Sequence, residues 1–219
     1  VSVVFDCSDP AARSAGLNAA VGAARGGRLV VLPTDTVYGI GCDAFDSEAV
    51  AALLEAKGRG RDMPVPVVVG SWNTIDGLVR SVSAQARELT RAFWPGGLSL
   101  VVEQAPSLAW DLGDVAGTVM LRMPLHPVAI EVLREVGPMA LSSANISGRP
   151  PATTVVQAQE QLGDSVSVYL DGGPSAKAVP STIVDLSGDA PRVLREGAIT
   201  TAEIAEVLDL DPADLVERP

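Results

Sequence analysis

Val1-Ser2-Val3-Val4-Phe5-Asp6, then Asp9-Pro10 opening a run of small and apolar residues to Arg25, then Gly26-Gly27, then Arg28-Leu29-Val30-Val31-Leu32-Pro33, is the stretch that decides the fold. Asp before Pro is a helix start: the carboxylate caps free backbone N–H groups, and proline suits the first turn, where its missing N–H costs nothing. The paired glycines close the helix, and the apolar runs on either side read as strands. Strand, helix, strand is thus the opening theme, and the alternation continues along the chain. Ser47 is expected to cap a helix over Glu48 to Lys57, and further helices are expected near 83–93, 126–136, 153–162 and 201–208. Strands are expected at 65–69, 98–103, 118–122, 139–142, 166–170, 182–186 and 192–194, with 34–43 an irregular loop. Ser187-Gly188-Asp189-Ala190-Pro191 is a turn signal joining the last two strands as a hairpin. Interleaved strands and helices with a late hairpin predict an α/β fold, a mixed twisted sheet layered with helices.

The chain has 219 residues, which at a typical 150 per domain gives about 1.5 and favours one domain over 1–219. Lys plus Arg is 16 against 27 for Asp plus Glu, a net charge of −11 with 47% hydrophobic residues. That balance excludes a disordered chain and nonspecific nucleic-acid binding through bulk charge. Apolar runs such as Val65 to Val69, broken by Pro66, are far shorter than the roughly 20 residues that span a bilayer. With a first strand where a leader would lie, the expected location is the cytoplasm. Cys7 and Cys42 are expected to be reduced and buried. The lone histidine, His126 before Pro127, reads first as a helix-start residue.

Three loops and two arginines carry candidate chemistry. Leu32-Pro33-Thr34-Asp35-Thr36-Val37-Tyr38-Gly39-Ile40-Gly41 is a strand end running into hydroxyls and glycines, where α/β folds place ligands. It lacks the third glycine and immediate helix of a dinucleotide fingerprint, and its glycines equally suit a tight turn. Lys57-Gly58-Arg59-Gly60-Arg61 sets three cations in five residues, a cluster that can hold polyphosphate or simply complement a helix end. The chain holds 14 Arg and only 2 Lys, so the lysine kept here suggests that an ammonium is wanted. Leu141-Ser142-Ser143-Ala144-Asn145-Ile146-Ser147-Gly148 runs from a buried strand into small polar residues that can ligate phosphate or help hold its magnesium ion, or serve as plain turn chemistry. Arg122 and Arg195 each end an apolar strand, positions suited to clamping a carboxylate or phosphate, or to a surface ion pair.

Taken in order, Pro33-Thr34-Asp35-Thr36-Val37-Tyr38-Gly39, Lys57-x-Arg59, Thr118-x-x-x-Arg122-Met123-Pro124, Ser143-x-Asn145-x-Ser147-Gly148 and Pro180-Ser181-Thr182-Ile183-Val184-Asp185 resemble the YrdC/TsaC family of threonylcarbamoyl-AMP synthases over roughly residues 10–200. The resemblance implies a YrdC-like fold with a deep positive cavity. It also implies an ATP-dependent reaction of L-threonine with bicarbonate that yields L-threonylcarbamoyladenylate and pyrophosphate. That product serves the N6-threonylcarbamoyladenosine modification of tRNA through a downstream threonylcarbamoyl transferase complex. Carried over by position, Lys57 and Arg59 grip the ATP phosphates with Ser143 and Asn145, and Thr118 and Arg195 contact the nucleotide. Thr36, Arg122 and Ser181 line the threonine pocket, Arg122 clamping the carboxylate. Mg2+ is implied with ATP, held largely by substrate and water, with no protein metal site.

The chain departs from the family pattern at Met63-Pro64-Val65, where many relatives have Asn-Pro-Leu, and at Val68, where some have histidine. Arg61 is a candidate to replace the missing polar nucleotide contact. With 24 residues after Arg195, the chain resembles the short, single-domain form. Two rivals share the fold. One is an RNA-binding or ribosome-associated protein without robust synthase activity, touching tRNA or double-stranded RNA through Lys57, Arg59 and Arg61. The other is a carbamoyl-transfer domain of the hydrogenase-maturation type, whose neighbouring cysteine-rich modules find no counterpart here.

Overall fold

The computed structural model describes residues 1–115, 117–176 and 178–216. Its centre is a ten-stranded mixed sheet in the order β1-β8-β2-β3-β7-β4-β6-β5-β9-β10. The strands are β1 (Val3–Asp6), β2 (Val30–Leu32), β3 (Gly39–Asp43), β4 (Val67–Val68), β5 (Leu98–Glu103), β6 (Thr118–Arg122), β7 (Met139–Ser143), β8 (Val168–Asp171), β9 (Thr182–Asp185) and β10 (Arg192–Arg195). The helices are α1 (Pro10–Arg25), α2 (Ser47–Ala56), α3 (Ala84–Phe93), α4 (Pro127–Val136), α5 (Val155–Leu162) and α6 (Thr201–Leu208). Strand β8 runs parallel to both β1 and β2, β4 to β6, and β5 to β9, while the β9–β10 hairpin is antiparallel as its turn signal predicts.

The opening helix starts as its sequence dictates. The Asp9 carboxylate accepts from Ala12 N–H at 2.7 Å with Pro10 in the first turn, a cap worth about 1 kcal/mol. His126 occupies the N-cap position of α4, again followed by proline. The cap of α2 is Asp46 rather than Ser47: its carboxylate accepts from both Glu48 and Ala49 N–H, and the serine falls inside the first turn.

The largest departure lies in 34–43, whose second half is strand β3 instead of loop. Gly39 and Gly41 obscure a period-two set, Tyr38, Ile40 and Cys42, whose side chains join one core. The glycines serve close approach: a Cβ at Gly41 would lie 2.8 Å from the Ala140 carbonyl oxygen, and one at Gly39 2.5 Å from Leu141 Cδ2. Strand β4 is shorter than the expected 65–69, with Pro66 denying the ladder a donor.

Alternation divides the apolar residues between the two faces. Val31, Ile40, Cys42, Val67 and Leu121 join a core on one face, while Val30, Leu32, Val68 and Leu141 face α1 and α4 through Ala20, Ala23, Val128 and Val132. Both cysteines are free and buried, as expected.

Candidate active site

Farther along the face that α1 and α4 cover, strand register builds a wall. Val68 pairs with Arg122, Arg122 with Ser99, Ser99 with Ile183, and Ile183 with Arg195, so five side chains from β4, β6, β5, β9 and β10 form one row across the sheet. This row is one side of a cavity of about 270 Å³. Thr34, Thr36 and Tyr38 close it from the β2–β3 loop, Arg59, Pro64 and Pro66 from the segment after α2, and Ser142 and Ser143 from the end of β7.

Arg59, Arg122, Ser143, Thr36, Ser181 and Arg195, which the sequence places far apart, all line this one cavity. Burial pulls all three guanidinium groups below the ordinary arginine value, and Asp35 opposes the shift at Arg122 while Asp62 opposes it at Arg59. Arg122 is 8% exposed and donates through Nε to the Gly96 carbonyl at 3.0 Å, through Nη1 to Thr36 Oγ1 at 2.9 Å and through Nη2 to Asp35 Oδ1 at 2.7 Å. Arg195 donates to the Ser181 carbonyl at 2.8 Å and to its hydroxyl at 3.3 Å. Arg59 reaches Ser142 Oγ at 3.3 Å, and its buried Nε has no protein partner.

Three expected residues stand behind or beside the wall. Lys57 is 2% exposed and donates to the main-chain oxygens of Ser143 at 2.5 Å and Asn145 at 2.7 Å. Burial, reinforced by the Arg59 charge, pushes its pKa down to about 8. Asn145 donates from Nδ2 to the carbonyls of Ile146 and Arg149, which leaves its Oδ1 buried and without a partner. Thr118 opens β6 opposite Glu103, outside the lining and two positions before Met120, which does line the cavity. Arg61, the candidate for the missing nucleotide contact, lies outside the cavity lining and is held by Asp111 at 2.8 Å and Asp114 at 3.2 Å.

Sequence reasoning missed Ser99, which is 3% exposed with its hydroxyl 2.9 Å from Ser181 Oγ. The signal was available as one hydroxyl inside the apolar run Leu98 to Val102. Among the described residues no cluster of three His, Cys, Asp or Glu is arranged to hold a metal ion. A cavity whose lining carries three arginines among hydroxyls and apolar side chains suits an anionic, oxygen-rich ligand and charge-stabilised group transfer.

Comparison with known proteins gives the same direction. The profile of the Sua5/YciO/YrdC family, described as "Telomere recombination", matches residues 23–197. A Mycobacterium tuberculosis protein with a provisional threonylcarbamoyl-AMP synthase name is 71% identical over 211 residues, covering 96% of this chain and 97% of that protein. The threonylcarbamoyl-AMP synthase of Pyrococcus abyssi is 36% identical over 190 residues, covering 86% of this chain and 56% of that protein. The crystal structure of P. abyssi Sua5 complexed with L-threonine superposes with a TM-score of 0.88 at 32% identity, covering 97% of this chain and 63% of that one. Register, cavity chemistry and sequence agree: this chain belongs to the Sua5/YciO/YrdC family.

Proposed function

We propose that this chain is an L-threonylcarbamoyladenylate synthase, joining L-threonine, bicarbonate and ATP with release of pyrophosphate. The observation that carries the reading is the convergence of Arg59, Arg122 and Arg195 with the Thr36, Ser143 and Ser181 hydroxyls on one cavity, in a chain whose relatives bear that name.

The chemistry asks for positioning and charge neutralisation. Threonine and bicarbonate form N-carboxythreonine with loss of water. A carbamate oxygen then attacks the α-phosphorus of ATP, the new P–O bond forms, and the bond to pyrophosphate breaks in line. No protein nucleophile is needed, because preorganised cations stabilise the charge that builds on the phosphate oxygens. In this reading Arg59 and Ser143 meet the phosphates from the β7 side, with Lys57 and Asn145 supporting them from behind. Arg195 and Thr118 flank the nucleotide. Arg122, Thr36 and Ser181 hold threonine, the guanidinium facing its carboxylate. Magnesium would arrive with ATP as part of the substrate, held largely by phosphate oxygens and water, with the Ser143 hydroxyl a hard oxygen donor on the cavity lining.

We place the reaction in the cytoplasm, where the adenylate would pass to a threonylcarbamoyl transferase complex acting on tRNA. Among the described residues no helix is long and apolar enough to cross a membrane. The test is pyrophosphate release by the purified chain. Release that requires both L-threonine and bicarbonate is expected, and release indifferent to either substrate would refute the reading.

A further inference from the structure

Asp35 stands just outside the cavity yet touches it through Arg122. Its Oδ1 accepts from Arg122 Nη2 at 2.7 Å and from Leu125 N–H at 2.8 Å. The two side chains are 17% and 9% exposed, and in each of the other ion pairs among the described residues at least one partner is far more open. A buried ion pair is a poor device for stability alone, since desolvation offsets much of its attraction. Its position in a ligand cavity calls for a role.

Geometry indicates which role. A guanidinium has five N–H groups, and three of those on Arg122 are taken by Gly96, Thr36 and Asp35. One N–H remains on each terminal nitrogen. The acceptors come from the β2–β3 loop and from the residues before β5, so the guanidinium plane is fixed from two separate segments. The same Asp35 oxygen that holds Arg122 also holds Leu125, in the connection between β6 and α4.

Charge is divided along with geometry. Asp35 neutralises Arg122, whereas Arg59 meets Ser142 and Arg195 meets Ser181 through uncharged oxygens. The cavity therefore offers a polyanion two cations that are not hydrogen-bonded to a carboxylate, with Asp62 acting on Arg59 only through space, and offers an already paired arginine to a weaker monoanion.

We propose that Asp35 is a positioning residue that fixes Arg122 with its two remaining N–H groups toward a carboxylate in the cavity. The identity of that carboxylate as threonine's rests on the synthase reading above. The experiment compares wild type, Asp35→Ala and Asp35→Asn in pyrophosphate release, with KM measured separately for L-threonine and ATP and folding followed by thermal melting. Loss of a charge-assisted contact predicts a threonine KM raised about tenfold or more in Asp35→Ala, with the ATP KM within about twofold. Asp35→Asn can still accept both hydrogen bonds, so it should lose less, about threefold, and it carries the test if the alanine variant does not fold. Folded variants with an unmoved threonine KM, or with both constants rising together, overturn the positioning role while wild type still turns over. Wild type without threonine-dependent release overturns the synthase reading itself.

Discussion

The Lys57 ammonium donates to the main-chain oxygen of Ser143 at 2.5 Å, which ties the end of α2 to the end of β7 from behind the cavity wall. A second bond to the Asn145 carbonyl, and one from Ser147 N–H back to the Lys57 carbonyl, complete the tie. An ammonium has three N–H groups, and two of them are taken by these carbonyls. The lysine is thus first a brace for Ser143 and Asn145.

Lys57→Ala should therefore cost stability as well as activity. Two buried carbonyls lose their donor and a packed side chain leaves a void, a combination expected to destabilise by about 2 to 4 kcal/mol. Urea denaturation measures it. A variant as stable as wild type would contradict the bracing role.

The lysine also predicts a pH dependence. Its pKa is pushed down to about 8 because burial and the Arg59 charge disfavour the ammonium. Rising pH then removes a positive charge from behind the cavity wall, so under the proposed synthase activity kcat/KM for ATP, which reports the free enzyme, should fall as pH passes through about 8. In Lys57→Arg that limb should move out of the accessible range. The same limb in wild type and variant would assign it to another group.

Two neighbouring arginines should behave oppositely. Arg59 is a half-buried cation whose Nε has no partner, so Arg59→Met should leave thermal stability equal or higher while raising the KM for ATP at least about tenfold. Arg61 is exposed and held by Asp111 and Asp114, so Arg61→Ala should leave turnover within about twofold. Measured side by side, an Arg61 effect as large as that of Arg59 would contradict the orientation of this segment.

Much of the architecture was legible because hydrophobic periodicity and caps agree locally. Asp9-Pro10 marks α1, and the apolar runs Leu98 to Val102 and Val119 to Leu121 mark adjacent strands. Strand β3 was hidden because glycines stand where a period-two pattern expects side chains, and their reason is a neighbour distant in sequence, strand β7, through the Leu141 side chain at Gly39 and the Ala140 carbonyl at Gly41. Within the site, charged and hydroxyl residues were legible by type and family resemblance, and six of them meet on one cavity. What sequence could not supply was direction. Lys57 faces backbone oxygens, Arg61 faces away, and Ser99 and Asp35 acquire their places only through strand register and tertiary contact.

Gly41 gives that hidden strand its own test. In Gly41→Ala the new methyl would sit 2.8 Å from the Ala140 carbonyl oxygen, a backbone atom that cannot swing aside. A loss of about 1 to 3 kcal/mol in urea denaturation is expected. A neutral substitution would contradict the close β3–β7 pairing.

Synthase activity is tested most directly by incubating the purified chain with ATP, magnesium, L-threonine and 13C-bicarbonate and examining the products by mass spectrometry. Threonylcarbamoyladenylate carrying the label in its carbamoyl carbon is expected, together with pyrophosphate. Folded protein that yields neither product, or an adenylate of threonine without the labelled carbon, would contradict it.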